Sequence, residues 1–227
     1  GNFTSRTVSG LQAGQGVLVT TDTTSATARV ADLAPSISIT APTCDATYLT
    51  GLSAIDLAGS ARDLSEVTQV TYELTGVTVG TGTAIGTDSW TIGSLGLNEG
   101  LTTITVTAQN DSGLTTDAVL NVTYESAHTF LGDTTIAADD RRYDGMDITI
   151  GNGSTAVIVS IDGEHTFASV TVLNNGRITQ TACSTTYTAS TVLNVTGDVS
   201  IQNGGRIDVS GKGYRGGYRD DNSSEFG

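Results

Sequence analysis

Ser36-Ile37-Ser38-Ile39-Thr40-Ala41-Pro42, Ile55-Asp56-Leu57-Ala58-Gly59-Ser60-Ala61-Arg62-Asp63 and Val67-Thr68-Gln69-Val70-Thr71-Tyr72 open a stretch that closes with Asp88-Ser89-Trp90-Thr91-Ile92, Thr102-Thr103-Ile104-Thr105-Val106-Thr107 and Ala118-Val119-Leu120-Asn121-Val122-Thr123. Apolar residues alternate with Thr and Ser at period two, and turn residues separate the runs. That period puts successive side chains on opposite faces of a strand, so each run has one apolar and one wet face. The pattern predicts an all-β sandwich of about seven strands over residues 34–125. Trp90, the one tryptophan of the chain, is expected at the centre of its core. A single Trp between Ser89 and Ile92 in a strand pattern does not make a sugar-stacking platform.

Beyond this stretch the character changes. Asp139-Asp140-Arg141-Arg142-Tyr143-Asp144-Gly145-Met146-Asp147 is a charge run of mixed sign. Oxygen ligands at close spacing with a Gly for the turn suit Ca2+, which makes Asp139, Asp140, Asp144 and Asp147 a candidate calcium set. The spacing is not that of an EF-hand, and Arg141 and Arg142 in mid-run point to the alternative, a solvated loop held by its own ion pairs. From Ile148 onward the chain repeats itself. Val170-Thr171-Val172-Leu173-Asn174-Asn175-Gly176-Arg177-Ile178 returns 29 residues later as Val199-Ser200-Ile201-Gln202-Asn203-Gly204-Gly205-Arg206-Ile207, and Ile148-Thr149-Ile150-Gly151-Asn152-Gly153 precedes the first copy by 22. Strand, Asn/Gly corner and strand at a period of 20–30 residues mark a solenoid, each copy one rung of a parallel β-helix over residues 131–214. Val170, Val172 and Ile178 are expected inside, with Val199, Ile201 and Ile207. Asn174 and Asn203 are expected at a corner, where their amides bond along the coil, and Arg177 and Arg206 outside.

The two ends look unfinished. Residues 1–33 carry three strand-like runs, Phe3–Ser9, Val17–Thr21 and Ala26–Val30. Phe3 stands where Trp90 stands, Leu11-Gln12-Ala13-Gly14 matches Leu97-Asn98-Glu99-Gly100, and Val17-Leu18-Val19-Thr20 matches Ile104-Thr105-Val106-Thr107. They read as the last three strands of a second sandwich. Half a sandwich cannot bury its inner face, so either strands were lost upstream or another element supplies them. Gly211-Lys212-Gly213-Tyr214-Arg215-Gly216-Gly217-Tyr218-Arg219 leads into a Gly/Tyr/Arg-rich tail over 215–227, either unwound or a docking segment. Phe3, Val8, Leu11, Val17, Val19, Tyr214 and Tyr218 are the candidate assembly residues.

The totals limit the function classes. With 24 Asp and Glu against 10 Lys and Arg, a net charge of −14 and a pI of about 4.2, the chain repels a phosphate backbone, which excludes nucleic acid as the main partner. No apolar run is long enough to span a membrane as a helix. No initiator Met precedes Gly1, which predicts processing or excision from a longer chain. The Thr/Ser/Gly/Asn-rich strands predict export to the cell surface. Six Asn-X-Ser/Thr sequons occur, at Asn2, Asn110, Asn121, Asn152, Asn194 and Asn222. Cys44 and Cys183 fit no metal spacing; exported chains seldom keep free thiols, so a disulfide is expected, within the chain or to another chain. The histidines, His128 and His165, have no Ser or Cys nucleophile set beside them, and Glu164 and His165 point to opposite faces of a strand. No enzymatic activity is expected.

Residues 37–43, 57–63, 67–72, 89–90 and 100–108 resemble the bacterial Ig-like domains found in tandem on surface and secreted proteins, which implies a spacer, stalk or adhesive module. Asp162-Gly163-Glu164-His165-Thr166-Phe167, the two Asn-x-Gly-Arg rungs and Gly211-Lys212-Gly213-Tyr214 resemble bacterial surface proteins in which such domains run into a right-handed β-helix. The leading expectation is a non-enzymatic extracellular subunit of a filament or stalk, polymerising head to tail. The alternatives are a carbohydrate- or cell-surface-binding adhesin module and an accessory fragment of a polysaccharide-degrading enzyme. No cofactor is required, apart from the candidate Ca2+.

Overall fold

The computed structural model describes residues 16–21, 26–31, 33–184 and 186–213, the first two of these segments by their backbone alone. Every described element of regular structure is a strand. β1 (Gly16–Thr21) and β2 (Ala26–Ala31) form an antiparallel pair, Gly16 opposite Ala31 and Thr21 opposite Ala26. They coincide with two of the three runs expected before residue 33. The run Phe3–Ser9 lies outside the described residues, as do Leu11, Tyr214 and Tyr218.

Eight strands follow: β3 (Ser36–Ala41), β4 (Thr47–Thr50), β5 (Ala54–Arg62), β6 (Val67–Gly76), β7 (Gly80–Thr83), β8 (Ser89–Gly96), β9 (Gly100–Asn110) and β10 (Thr115–Tyr124). They form a three-stranded sheet in the order β3-β5-β8 and a five-stranded sheet in the order β4-β10-β9-β6-β7. Alternation sets which side chains are inside. In β5 they are Ile55, Leu57, Gly59 and Ala61, and in β9 Thr102, Ile104, Val106, Ala108 and Asn110. Trp90 is fully buried. In β8 the inward positions run Trp90, Ile92, Leu95. The extra residue is absorbed at Ser94, whose φ is +52° and whose N–H donates to Asp56 Oδ1 at 2.6 Å; a local bulge of this kind re-aims the strand. The Asn110 sequon is spent on the fold. Its side chain is 2% exposed, donates to the Leu33 carbonyl at 3.0 Å and accepts from the N–H groups of Ser112 and Leu114.

Ten short strands complete the chain: β11 (Ala127–Phe130), β12 (Thr134–Ile136), β13 (Asp147–Ile150), β14 (Val157–Ile161), β15 (Gly163–Phe167), β16 (Ser169–Val172), β17 (Gly176–Thr179), β18 (Thr191–Val195), β19 (Val199–Ile201) and β20 (Arg206–Ile207). All their pairings are parallel, in the orders β11-β13-β16-β19, β12-β14-β17-β20 and β15-β18. The registers follow the sequence repeat, with Ile148 beside Val170 and Val170 beside Val199. The longer second interval holds residues 180–190, between β17 and β18.

Backbone bonds also link the corners between successive strands. Gly151 N–H donates to Phe130, Leu173 to Ile150 and Gln202 to Val172, while Ala168 donates to Met146 and Gly197 to Ala168. The Asn174 and Asn175 amides reach back to the carbonyls of Gly153 and Ser154. Gly204 at the next corner has a φ of +85°, a conformation that glycine takes without strain.

The chain divides into two compact units. One is Gly1–Ala46, Asp56–Leu95 and Thr103–Leu120; the other is Thr47–Ile55, Gly96–Thr102 and Asn121–Gly227. The core of the second unit is made by inward side chains of the parallel strands, Ile148, Ile150, Val159, Val170, Val172 and Ile178 among them, with Phe130, Met146 and Phe167. Strands buried on one face and carrying Thr and Ser on the other explain the alternation that their sequences show.

Candidate functional site

The second unit treats the two ends of its strand stack differently. At the β11/β12 end the stack is closed. Phe130 and Ile136 are 3% and 0% exposed, and Leu49 packs against the same cluster. Tyr143 stacks edge-on with Phe130 at 4.9 Å and meets His128 at the same distance. A Cβ on Gly51 would lie 2.4 Å from the Asp144 carbonyl, so the 139–147 loop sits directly on that backbone.

At the β19/β20 end the inward row is exposed. Val199, Ile201 and Ile207 stand in register with Val170, Val172 and Ile178. Those three are at most 1% exposed, whereas Val199, Ile201 and Ile207 are 52%, 48% and 43% exposed. Inward side chains on these two strands therefore meet solvent, and among the described residues no strand pairs with their outer edges.

The four aspartates expected at a calcium site are not brought together; local partners take them up instead. Asp140 accepts the Arg142 guanidinium through both oxygens, at 2.8 and 2.6 Å, and this pair holds its carboxyl below the usual carboxylate range while keeping the guanidinium protonated. Asp144 pairs with Arg141 at 3.1 Å and with His165 at 2.8 Å. Asp147 accepts from Ser169 Oγ at 2.6 Å, and Asp139 is exposed. Among the described residues no three His, Cys, Asp or Glu side chains converge as a metal site. Calcium added to EDTA-treated protein is expected to release no heat and to leave the melting temperature unchanged. Saturable binding with a higher melting temperature would mean that the aspartates regroup around an ion.

Sequence reasoning missed a buried polar node in the same unit. His165 is fully buried on β15. Its Nδ1 faces Asp144 Oδ1 at 2.8 Å, and its Nε2 faces the carbonyls of Asp162 and Ala137 at 3.0 and 3.2 Å. All three partners are acceptors, so the ring's N–H groups are the donors available to them at this buried point. Arg141 adds a bond to the Glu164 carbonyl. Asp162, itself 3% exposed, accepts from Thr181 N–H at 2.8 Å and from the Tyr187 hydroxyl at 3.0 Å. That bond pushes the Tyr187 phenol up and ties the 181–190 segment to the strand stack. The signal available in the sequence was the spacing, since Asp144 and His165 are close to one repeat apart. Glu164 points outward and accepts from Asn194 at 2.8 Å, away from His165. The node is closed to solvent at the imidazole and offers no reacting group an approach.

Cys44 and Cys183 are both free thiols. They belong to different compact units, and each thiol donates to a nearby carbonyl, Cys44 to Thr40 and Cys183 to Ala189. Exposed Cys44 is expected to react at once with a thiol reagent, and half-buried Cys183 only slowly. A Cys44 that resists labelling until reductant is added would reveal a bridge to another chain. Of the candidate assembly residues, Val17 and Val19 lie on β1, opposite Val30 and Ala28. Phe3, Val8, Leu11, Tyr214 and Tyr218 lie outside the described residues.

Residues 35–106 match the family model of the bacterial Ig domain, and those residues hold β3 to β8 and part of β9. The sequence matches no curated protein. Solved structures with some likeness include an engineered protein (23% identity, TM-score 0.34, covering 42% of this chain and 21% of that one). A Cellulomonas fimi endo-beta-1,4-mannanase double mutant gives 23%, 0.30, 40% and 19%, and a polysaccharide deacetylase from Bacillus cereus gives 11%, 0.28, 57% and 60%. The chain thus spans about a fifth of the length of the first two. TM-scores of this size bear on neither fold nor function. Among the described residues no helix is long and apolar enough to cross a membrane.

Proposed function

We propose that this protein is a non-catalytic extracellular structural module, a subunit of a surface filament or stalk that assembles head to tail. In this reading an Ig-like sandwich over residues 34–125 runs into a parallel β-helix over 131–214. The three parallel ladders at a spacing of one sequence repeat support the β-helix. Parallel crossovers are right-handed almost without exception, which supports that hand. The bacterial Ig domain match over residues 35–106 supports an extracellular or surface setting.

The observation that carries the assembly is the contrast between the two ends of the strand stack. One end is sealed by Leu49, Tyr143 and Phe130, while the other leaves Val199, Ile201 and Ile207 in solvent. An open edge with an apolar inner row is a template for another chain's strands. A surface that is sealed at one end and sticky at the other cannot pair with itself about a two-fold axis as readily as with a different surface of the next copy. Heterologous contacts of that kind propagate as open filaments unless they close into a ring. Residues 1–33, with Phe3, Val8, Leu11, Val17 and Val19, are the proposed complement, and Tyr214 and Tyr218 the proposed docking side chains of the tail.

Ile201→Asp puts a charge into the proposed contact without disturbing the buried Val172 beside it. Sedimentation velocity of this variant, and of a form lacking residues 1–33, is expected to give folded monomers where the parent forms large polymers. Undiminished polymer in both would overturn the reading.

A further inference from the structure

The outer face of the β12-β14-β17-β20 sheet places two arginines on neighbouring strands. Arg177 and Arg206 are register partners, about 4.8 Å apart along the stack at the usual strand spacing. Like charges directly opposite one another are unfavourable unless something offsets them. Elsewhere in this unit arginines are matched: Arg142 pairs with Asp140 at 2.6 Å and Arg141 with Asp144 at 3.1 Å. Here the only carboxylate in reach among the described residues is Asp208, 3.8 Å from Arg206 Nε. Asp208 also accepts the Ser210 N–H, and that bond, with help from both guanidiniums, holds its carboxyl low. No ion-pair partner for Arg177 occurs among the described residues, and its Nε is closed off from water without an acceptor. Arg177 is therefore less closely matched than Arg141 and Arg142.

The same face continues into a hollow. Ile158 is the register partner of Arg177, and Ser160 is that of Thr179 on one side and of Thr135 on the other. Asp133, Thr134, Thr135, Ile158 and Ser160 line a shallow cavity of about 210 Å³. Its walls offer hydroxyls and one carboxylate, groups that suit a ligand rich in hydroxyls, and they lack the aromatic anchors that peptide partners use.

We propose that this face binds an acidic polysaccharide, its carboxylate or sulfate groups held by Arg177 and Arg206 and its hydroxyls lodged against Asp133, Thr135 and Ser160. Guanidiniums take such anions bidentately, which supplies both energy and orientation. Arg177 and Arg206 on adjacent strands offer two guanidiniums to neighbouring anionic groups of one polymer. The overall negative charge of the protein repels polyanions, so only a local cationic site of this kind can hold one, and binding must weaken with salt. The site lies on the outside of the sheet and does not depend on the assembly of copies.

Calorimetry with alginate (a polyuronate), dextran sulfate, neutral dextran and poly-glutamate tests this. Alginate or dextran sulfate is expected to bind at low salt, and which of the two binds tighter separates carboxylate from sulfate recognition. Neutral dextran is expected not to bind. Each of Arg177→Gln and Arg206→Gln should weaken binding about tenfold, and the double variant should abolish it. Arg177→Lys/Arg206→Lys, which keeps charge and fold but loses the bidentate geometry, should fall in between. Lys212→Gln should leave affinity unchanged. Absence of binding to both polyanions, undiminished binding by the double Gln variant, or poly-glutamate binding as tightly as the polysaccharides would each overturn the proposal, the last in favour of an acidic protein partner.

Discussion

Gly59→Val is expected to unfold the sandwich. Glycine inside a strand ordinarily weakens it, and a β-branched residue there ordinarily helps. The local geometry reverses that sign. A Cβ at this position would lie 2.1 Å from the Ser38 carbonyl and 2.2 Å from Trp90 Cζ2. One of these is ladder backbone on β3, where Ile39 is the partner of Gly59, and the other is a fully buried indole. Neither can retreat by more than 1 Å without opening the ladder or the core. Overpacking costs 1–3 kcal/mol when side chains can yield, and here they cannot, so a loss of about 4 kcal/mol is expected. Trp90 reports the outcome directly, through its fluorescence during denaturant unfolding. Wild-type stability within about 0.5 kcal/mol would contradict this packing.

His165→Ala is the second large effect. It leaves the Asp144 carboxylate with one guanidinium and strips the Asp162 and Ala137 carbonyls of their shared donor inside the second unit. Leaving a buried acceptor without its donor costs about 1–3 kcal/mol, and several acceptors lose theirs here. The cavity adds to that loss, so His165→Phe serves as the control. Phe fills most of the space, yet it still strands the acceptors, and it is expected to lose most of the same stability. Amide exchange in β13 to β17 is the readout. Full recovery by Phe would assign the loss to packing and remove the polar node from the account.

The parts legible in the sequence were those in which the answer is local or repeated. Trp90 and the alternating residues of β5 and β9 carry their own burial pattern. The copy of Val170–Ile178 at Val199–Ile207 coincides with the parallel register, Val170 beside Val199 and Ile178 beside Ile207. What escaped was set by contacts between distant positions. The repeat spacing hints at Asp144 beside His165, but nothing in the chain brings Ala137, 28 residues away, to the same ring. The 2.4 Å approach that makes Gly51 obligatory belongs to the 139–147 loop, almost a hundred residues on. The aspartates of that loop illustrate a competition which spacing cannot resolve. Carboxylates two and three positions from an arginine can serve a cation or the guanidinium, and at Asp140 and Asp144 the guanidinium holds them. The lack of an ion pair at Arg177 was likewise invisible, since it depends on how far Asp208 lies from each of the two arginines.

Head-to-tail assembly is proposed from the contrast between buried Phe130 and Ile136 and exposed Val199, Ile201 and Ile207, and negative-stain electron microscopy of the purified protein tests it most directly. Straight, unbranched, polar fibres of a single repeating subunit are the predicted result, absent when residues 1–33 are removed. A field of uniform monomers at high protein concentration would contradict it.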